Sequence, residues 1–245
     1  MSKKIALVTG ANKGIGFETA KQLGKKGITI IAAARNADNG NKAVSKLQAE
    51  GIDAEFLQLD VTNTTQIQQA FEYINNKYGK LDILINNAGI AVEHGGWGAN
   101  TATTVTEKEL HQTFDTNFFS IVLLTNKLLP LLEKSEAGRI VNLSSILGSL
   151  TLHSDPTSPI YSSKLFAYDA SKTALNAYTI HLAAALADTK IKVNSAHPGW
   201  VKTDMGSDAA PMEIVDGAKT SVELALLDDD GPNGKYIHLG QELPW

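Results

Sequence analysis

The sequence predicts an α/β fold in which about seven strands form a doubly wound parallel sheet with helices on both faces. Short apolar runs alternate with longer amphipathic segments along the whole of the 245 residues. A glycine-rich turn separates the first apolar run from the first helical segment. Because no repeat is present and no linker rich in Pro, Gly or Ser divides the chain, residues 1–245 are predicted to form a single domain.

Strands are predicted at the short apolar runs, because buried parallel strands are continuously apolar. These runs are Ile5–Thr9, Ile28–Ala34, Glu55–Leu59, Ile83–Asn86, Arg139–Leu143, Lys192–Ala196 and Lys235–Leu239. Parallel strands need crossover connections, and the segments between the runs have the helical period. Helices are therefore predicted over Gly14–Lys26, Gly40–Glu50, Thr64–Tyr78, Glu107–Glu133, Phe166–Asp188 and Met212–Leu227.

Three long stretches show neither the apolar pattern of a strand nor the period of a helix, and each follows a predicted strand. They are Val92–Thr104, Ile146–Lys164 and Thr203–Met212. Ligands of doubly wound sheets bind outside the carboxyl ends of the strands. We therefore expect the substrate pocket to be built from these three stretches.

Composition excludes several classes of protein. The net charge of −4 gives no reason to expect a nucleic-acid or membrane partner. The absence of cysteine excludes disulfides, thiolate metal sites and cysteine nucleophiles. The apolar stretch Ile121–Leu132 contains Asn126, Lys127 and Pro130 and is too short to span a bilayer. Because an apolar strand follows Met-Ser-Lys-Lys directly, without a signal segment, the expected compartment is the cytoplasm.

The turn after the first strand is predicted to bind a nucleotide. Its spacing is Gly-x-x-x-Gly-x-Gly, and glycines allow a sharp turn and a close approach to a pyrophosphate. The amides at the start of the next helix then bind phosphate oxygens. An ordinary tight turn is the alternative, but the position inside a βαβ unit favours nucleotide binding. The residues expected at the cofactor are Gly10, Asn12, Lys13, Gly14, Ile15 and Gly16.

The end of the second strand predicts which nucleotide binds. An acidic residue there would bind a ribose 2′-hydroxyl, whereas an arginine would pair with a 2′-phosphate. The strand ends in Ala34-Arg35-Asn36, and Lys13 can bring a second positive charge to the same phosphate. Either cation alone could be an ordinary surface residue, and Asp38 is a nearby acid. Together Arg35 and Lys13 favour NADP(H) over NAD(H).

A tyrosine and a lysine four residues apart form the predicted proton-transfer pair. Tyr168 and Lys172 share one face of a predicted helix. The pKa of a free phenol is about 10, and a nearby ammonium, together with the positive nicotinamide ring of an oxidised cofactor, is expected to lower it. Tyr168 could then give a proton to a forming alkoxide or take one back. A solvated helix face is the alternative, and the nearby pair Tyr161 and Lys164 is rejected because it is spaced three residues apart.

A hydroxyl after the fifth strand and an asparagine in the helical segment before it complete the candidate site. Ser144 and Ser145 follow the strand Arg139–Leu143, where a hydroxyl can hydrogen-bond a substrate carbonyl oxygen. A serine that only caps a turn is the alternative. Asn117 lies in the long helical segment before this strand, where a local cap or a packing role is the alternative.

These motifs resemble those of the short-chain dehydrogenase/reductase family over essentially the whole chain. The matching elements occur in the family's order: Thr9-Gly10-x-x-x-Gly14-x-Gly16, Asp60-Val61, Asn86-Asn87-Ala88-Gly89, Asn117, Ser144-Ser145, Tyr168-x-x-x-Lys172 and Pro198-Gly199. The resemblance implies a Rossmann fold and a dinucleotide-dependent oxidoreductase.

The resemblance also implies a role for each matching residue. Asn117, Ser145, Tyr168 and Lys172 match the family's catalytic tetrad. In it the serine polarises the carbonyl, the tyrosine is the acid–base and the lysine holds the nicotinamide ribose. The remaining implied cofactor contacts are Asp60, Val61, Asn87, Ala88 and Gly89 on the adenosine side, and Pro198, Gly199, Val201 and Thr203 on the nicotinamide side.

Within the family the chain is most similar to the carbonyl reductases. The segment His197–Met205 and the ending from Gly231 to Trp245 resemble theirs. The 23-residue separation of Ser145 and Tyr168 exceeds the family's usual spacing because of an insertion, Leu152–Lys164. Since a long insertion covers the face through which many members dimerise, we expect a monomer or a loose dimer.

The expected activity is reduction of a ketone or aldehyde by NADPH, with a small-molecule carbonyl or alcohol as substrate. An enone C=C reductase of the same family and a non-catalytic NADP(H) sensor are the alternatives, and the intact Tyr168 and Lys172 argue against both. No metal site is expected, because His153 and His197 have no partners at ligand spacing and Asp228–Asp230 precede a turn. Trp97 could cover the substrate or anchor its loop.

Overall fold

The computed structural model describes residues 3–94 and 101–245, and its strands join one sheet. The strands are β1 Ile5–Thr9, β2 Thr29–Ala34, β3 Ala54–Gln58, β4 Ile83–Asn86, β5 Arg139–Leu143, β6 Lys192–Ala196, β7 Tyr236–His238 and β8 Gln241–Glu242. Their order is β3-β2-β1-β4-β5-β6-β7-β8, and all neighbours except β7 and β8 run parallel. The predicted doubly wound sheet is confirmed.

The eighth strand is the main departure from the predicted sheet. Strand β8 pairs antiparallel with β7 through His238 and Gln241. Between them, Leu239 (φ 46°) and Gly240 (φ 76°) take left-handed conformations that reverse the chain. A strand of two exposed residues has no apolar pattern, so periodicity could not reveal it.

The helices are α1 Gly14–Lys25, α2 Ala37–Ala49, α3 Thr64–Tyr78, α4 Glu107–Phe114, α5 Ser120–Leu132, α6 Leu150–Ser154, α7 Phe166–Ala185, α8 Ile214–Gly217 and α9 Lys219–Ala225. Helix α2 begins three residues before the predicted Gly40. The side chain of Asn36 accepts a hydrogen bond from the Asn39 N–H at 2.9 Å and so caps the earlier start. Gly40 lies inside α2, where the ring of Phe56 packs against it and leaves no space for a Cβ.

The predicted helix Glu107–Glu133 is divided. Helices α4 and α5 are joined by a π-helical turn, Asp115–Phe119, whose central residue Asn117 is fully buried. π-helical turns inside α-helices occur frequently at functional sites. The interruption therefore marks the position of a predicted site residue.

Two other predicted segments need correction. The stretch Ile146–Lys164 contains a 3₁₀ turn, Ile146–Gly148, and helix α6. The hydroxyls of Ser145 and Ser149 accept hydrogen bonds from Leu147 N–H at 3.3 Å and Leu152 N–H at 3.2 Å, which start these two turns. The predicted helix Met212–Leu227 is divided into α8 and α9. Of the predicted stretch Val92–Thr104, residues 95–100, and with them Trp97, lie outside the described residues.

Helices cover both faces of the sheet, as the alternating side chains of β1 illustrate. Leu7 packs into an apolar cluster with α3, α5 and α7, whereas Ala6 and Val8 pack into a second cluster with α1, α2 and α9. Each fully buried leucine or isoleucine in such a core contributes roughly 1.5–3 kcal/mol. Both faces of the central strands are thus buried, and only their carboxyl edge is left for a ligand. Among the described helices, none has the length and apolarity needed to cross a membrane.

Candidate active site

The predicted site residues gather at the carboxyl edge of the sheet. Most of them follow the ends of the parallel strands. The β1–α1 turn contains Gly10, Asn12, Lys13, Gly14, Ile15 and Gly16; the segment after β2 contains Arg35 and Asn36; the segment after β3 contains Asp60 and Val61; the segment after β4 contains Asn87, Ala88 and Gly89; the segment after β5 contains Ser145; and the segment after β6 contains Pro198, Gly199, Val201 and Thr203. Asn117, Tyr168 and Lys172 come from the π-helical turn and from α7. The parallel topology therefore places all these segments on one side of the molecule.

The β1–α1 turn is a cradle of backbone that side chains would block. Gly10 (φ 64°) and Gly14 (φ 57°) have left-handed conformations. A Cβ on Gly16 would lie 2.4 Å from Asn87 Nδ2 and 2.5 Å from the Gly10 carbonyl oxygen. Lys13 stands at the N-cap of α1 and makes no capping hydrogen bond within the described part of the chain, so the first amides of the helix stay open to an anion.

The β1 end of the cradle is hydrogen-bonded to the segment after β4. Asn87 Nδ2 donates to the Thr9 carbonyl oxygen at 2.8 Å. The hydroxyl of Thr9 accepts the N–H groups of Asn87 and Ala88, each at 3.0 Å. Thr9 was not among the predicted site residues. Its signal is a polar, buried side chain at the carboxyl end of an otherwise apolar strand.

Positive side chains surround the outer end of the cradle. Arg35 is exposed at the end of β2, and Lys42 lines a groove with Asn12, Lys13 and Asn39. Lys13 also forms an exposed ion pair with Asp204, which lowers the pKa of that carboxyl. This pair links the glycine turn to the stretch after β6.

The segment after β3 has one half-buried carboxylate and one buried apolar side chain. Asp60 Oδ1 accepts hydrogen bonds from the Thr62 N–H at 3.0 Å and the Thr62 hydroxyl at 2.8 Å. Val61 is buried in the core below it. Asn36, a predicted cofactor residue, uses its side-chain oxygen to cap α2.

Tyr168 and Lys172 lie on the face of α7 that turns towards the sheet. Tyr168 is 7% exposed and Lys172 is 4% exposed. The Tyr168 hydroxyl is hydrogen-bonded to Ser145. Lys172 Nζ donates to the Leu143 carbonyl oxygen at 2.8 Å and lies 5.6 Å from the centre of the Tyr168 ring. The structure therefore brings the predicted phenol, hydroxyl and ammonium together.

In the protein alone the pKa of Tyr168 is raised. Burial raises the pKa of Tyr168 to about 12, and the hydrogen bond from Ser145 acts against the rise. Burial also lowers the pKa of Lys172 to about 8, since water is excluded from the ammonium. Lys172 Nζ is hydrogen-bonded to the Leu143 carbonyl oxygen and lies over the Tyr168 ring. At neutral pH the phenol therefore keeps its proton.

Asn117 connects α7 with the segment after β4. Its Oδ1 accepts the Ile90 N–H at 2.8 Å, and its Nδ2 donates to the Ile90 carbonyl oxygen at 2.8 Å and to Ser171 Oγ at 3.1 Å. A Cβ built on Gly89 would lie 3.4 Å from Asn117 Oδ1 and 3.5 Å from Lys172 Nζ. The asparagine and the lysine thus flank the same glycine.

The segment after β6 closes the other end of the site. Gly199 has φ 91°, and a Cβ there would collide with the sulfur of Met212. A Cβ on Gly14 would lie 3.7 Å from the Thr203 methyl group, which places this segment beside the start of α1. Val201 is buried and forms an isolated bridge with Met212.

His197 orients two loops of the site. No role could be assigned to it from the sequence, because it has no partners at metal-ligand spacing. Its Nδ1 accepts the Ile146 N–H at 3.1 Å and the Gly199 N–H at 3.4 Å. Burial lowers the pKa of His197 to about 3, and His238 adds to the decrease. The imidazole is therefore neutral and fixed as an acceptor between the loops after β5 and β6.

The chain is similar in sequence and fold to known proteins. A family model described as short chain dehydrogenase matches residues 4–214. The chain is 33% identical to carbonyl reductase (NADPH) 1 of Mus musculus, over 100% of this chain and 99% of that protein. It is 33% identical to (−)-isopiperitenone reductase of Mentha piperita, over 96% of each. An NADPH-bound carbonyl reductase structure from chicken fatty liver gives a TM-score of 0.86 at 26% identity, over 100% of both chains.

Proposed function

The chain belongs to the short-chain dehydrogenase/reductase family, and on this basis we propose that it is an NADPH-dependent reductase that transfers a hydride to the carbonyl carbon of a ketone or aldehyde. Oxidation of the alcohol product is the reverse reaction. The observation that carries the proposal is the hydrogen bond between the Tyr168 hydroxyl and Ser145, beside the buried ammonium of Lys172. Carbonyl reductases named for NADPH are among the similar proteins.

The chain's own residues fit a dinucleotide. No side chain could share the space at Gly10 and Gly16, and the start of α1 offers open amides to a pyrophosphate. Arg35 and Lys13 would pair with a 2′-phosphate, which favours NADP(H). When bound, NADPH supplies the hydride from its nicotinamide ring.

The other proposed cofactor contacts follow the order of the strands. The pyrophosphate would be bordered by Asn12, Gly14 and Ile15, and the adenosine side by Asn36, Asp60, Val61, Asn87, Ala88 and Gly89. The nicotinamide would be bordered by Pro198, Gly199, Val201 and Thr203. Tyr168 and Lys172 would contact the nicotinamide ribose.

Tyr168 is proposed as the proton donor. Reduction adds a hydride to the carbonyl carbon and a proton to the carbonyl oxygen, so the acid must be protonated beforehand. The raised pKa of Tyr168 keeps the phenol in that form at neutral pH. Ser145 would donate a second hydrogen bond to the carbonyl oxygen as negative charge develops there. Lys172 would orient the ribose, and Asn117 would hold the backbone beside Lys172 through Ile90.

We propose one catalytic and dinucleotide-binding domain, 1–245, with a substrate loop near 146–164. The proposed loop has the exposed apolar side chains Leu150 and Tyr161, and the segment after β6 has Trp200 and Met205. Together these side chains offer apolar surface to a small carbonyl compound. A monomer or a dimer is the proposed assembly, and light scattering that reports a tight tetramer would contradict it.

A substrate panel tests the proposed function. NADPH absorbance is followed with aldehydes, ketones and enones, and the products are identified by NMR. We expect alcohols from aldehydes or ketones, with NADPH preferred to NADH. Saturated ketones formed only from enones would support the C=C reductase instead, and NADPH binding without turnover of any compound would support a cofactor sensor.

A further inference from the structure

The proposed substrate loop, 146–164, packs against the ring of Tyr168. Leu147 and Ile160 of the loop form a third apolar cluster with Leu165 and Tyr168. All four side chains are at most 9% exposed. A carbonyl compound bound at the Tyr168 hydroxyl would therefore lie beside this loop.

A lysine at the end of the loop reaches back to helix α6. Lys164 Nζ donates to the His153 carbonyl oxygen at 2.9 Å and lies 2.9 Å from His153 Nδ1. The ammonium also lies over the Tyr161 ring, 4.8 Å from its centroid. These contacts join residues 11 positions apart and close the loop between them.

The surroundings of His153 select one tautomer of its ring. An ammonium can only donate, so Nδ1 accepts a hydrogen bond from Lys164. The proton of the neutral ring then lies on Nε2, which is 3.0 Å from the Leu147 carbonyl oxygen and 3.4 Å from Asp169 Oδ2. Burial, and then the charge of Lys164, lower the pKa of His153, which favours the neutral ring.

His153 connects the loop to the first turn of α7. Asp169 Oδ2, which faces the imidazole, accepts the Leu165 N–H at 2.9 Å. From the segment after β4, Glu93 Oε1 accepts the Tyr168 N–H of the same turn at 3.1 Å. The side chains of His153 and Asp169 are each only 12% exposed, so water competes little for the contact between them.

We propose that Lys164, His153 and Asp169 form a clasp that holds the substrate loop closed against α7, and that Lys164 and His153 act as positioning residues for the carbonyl substrate. This inference rests on the proposed function. A loop that is closed for only part of the time binds its ligand with an affinity reduced by that fraction. Since none of the three residues is a proposed cofactor contact, the clasp should act on substrate binding and leave NADPH binding unchanged.

¹⁵N NMR of the histidine side chains tests the arrangement of the clasp without any activity. The His153 resonances are assigned by their loss in His153→Phe. At pH 7 we expect a neutral ring with its proton on Nε2. A proton on Nδ1, or a positively charged ring, would overturn the proposal.

Amide hydrogen exchange tests whether the clasp closes the loop. Lys164→Met keeps an unbranched side chain and removes the ammonium with its two contacts to His153. We expect the amides of 154–163 to exchange about tenfold faster in this variant, with those of α3 unchanged. Unchanged exchange in the loop would overturn the proposal.

The kinetics of ketone or aldehyde reduction test the positioning role. We expect Lys164→Met to raise the KM of the carbonyl substrate by about three- to tenfold, with kcat and the Kd of NADPH within about twofold of wild type. Lys164→Arg keeps the charge and the donors and should restore most of the KM. Lys192→Met is the matched control, because half-buried Lys192 donates to the Gly231 carbonyl oxygen at 2.8 Å at the amino end of β6. It should lower stability and leave the KM unchanged.

A double variant tests whether the two side chains act together. His153→Phe and Lys164→Met remove the same contact, so the KM of the double variant should match that of one single variant. A rise equal to the product of the two single effects would contradict a shared clasp.

The two proposals fail separately. If Lys164→Met speeds exchange in the loop of an active enzyme but leaves the KM unchanged, the contacts are only structural and the inference is wrong, while the reductase assignment stands. If the wild type converts no carbonyl compound, the proposed function fails and the positioning role fails with it, whereas NMR and exchange still decide whether the clasp closes the loop.

Discussion

The imidazole of His197 accepts the main-chain N–H of Ile146 at 3.1 Å and thereby joins the loop after β5 to the loop after β6. The first loop carries Ser145, and the second carries the proposed nicotinamide contacts. Since His197 is 7% exposed, no bulk water can replace this acceptor. The position of Ser145, whose hydroxyl is proposed to bind the carbonyl oxygen, therefore depends on a neutral histidine in the neighbouring loop.

This histidine should make stability dependent on pH. Its folded pKa is about 3, whereas a free histidine has a pKa of about 6.5. Between these two pKa values His197 is protonated in the unfolded chain but neutral in the folded protein. The contribution of neutral His197 to the free energy of unfolding is therefore fully present above pH 6.5 and decreases as pH falls towards 3. We expect urea unfolding at pH 7 and pH 5 to show a smaller loss of stability in His197→Asn than in the wild type. Equal losses in both proteins would contradict this role.

Cofactor preference should depend on Arg35. Replacing it by aspartate removes the charge proposed to bind the 2′-phosphate and adds an acceptor for a ribose hydroxyl. We expect Arg35→Asp to raise the KM for NADPH by about tenfold or more and to lower that for NADH. Lys134→Asp is the control, because it makes the same charge change on an exposed residue that contacts Asn75. An unchanged ratio of the two KM values would refute the assignment.

The ion pair between Lys13 and Asp204 should weaken NADPH binding slightly. Both side chains are exposed, so the pair is weak and easily exchanged for a phosphate. We expect Asp204→Asn to lower the Kd of NADPH by about two- to fivefold at low salt, with a smaller effect at high salt. Glu213→Gln, which removes a similarly exposed pair with Lys202, serves as the control. Weaker NADPH binding in Asp204→Asn would show that Asp204 itself supports the site.

Trp245 should stabilise the proposed substrate loop. The Trp245 ring stacks on the buried Tyr236 ring with centroids 5.6 Å apart, and its carbonyl oxygen accepts the Thr151 N–H at 2.9 Å. Trp245→Ala keeps the main-chain bond but loses the stack, which contributes about 1 kcal/mol. We expect lower stability and a raised KM for the carbonyl substrate, with the Kd of NADPH unchanged. Trp245→Phe should restore the stability and the KM. If Trp245→Ala changed only the Kd of NADPH, this local role would be contradicted.

Much of the fold could be predicted because it depends on local patterns. Apolar runs identified the seven parallel strands. Short elements such as β8 were missed because two exposed residues carry no periodicity. The start of α2 was missed because Gly40 suggested a boundary, whereas a large ring from β3 packs against it.

The site shows the same division between local and distant contacts. The glycine turn and the pair Tyr168 and Lys172 are local in sequence, so their spacing carries the signal. Glu93 and His197 act on residues 75 and 51 positions away, respectively, and no spacing rule connects them. Burial also could not be read from the sequence, and in the protein alone it raises the pKa of Tyr168.

The central claim is that Tyr168 delivers the proton to the carbonyl oxygen, and Tyr168→Phe tests it most directly. The measurement compares the Kd of NADPH with the rate of ketone reduction in this variant and in Tyr161→Phe, which changes the exposed tyrosine of the substrate loop. We expect the Tyr168→Phe rate to fall by about 10²- to 10⁴-fold with the Kd little changed, and Tyr161→Phe to stay within a few-fold of wild type. Reduction by Tyr168→Phe at the wild-type rate would contradict the account.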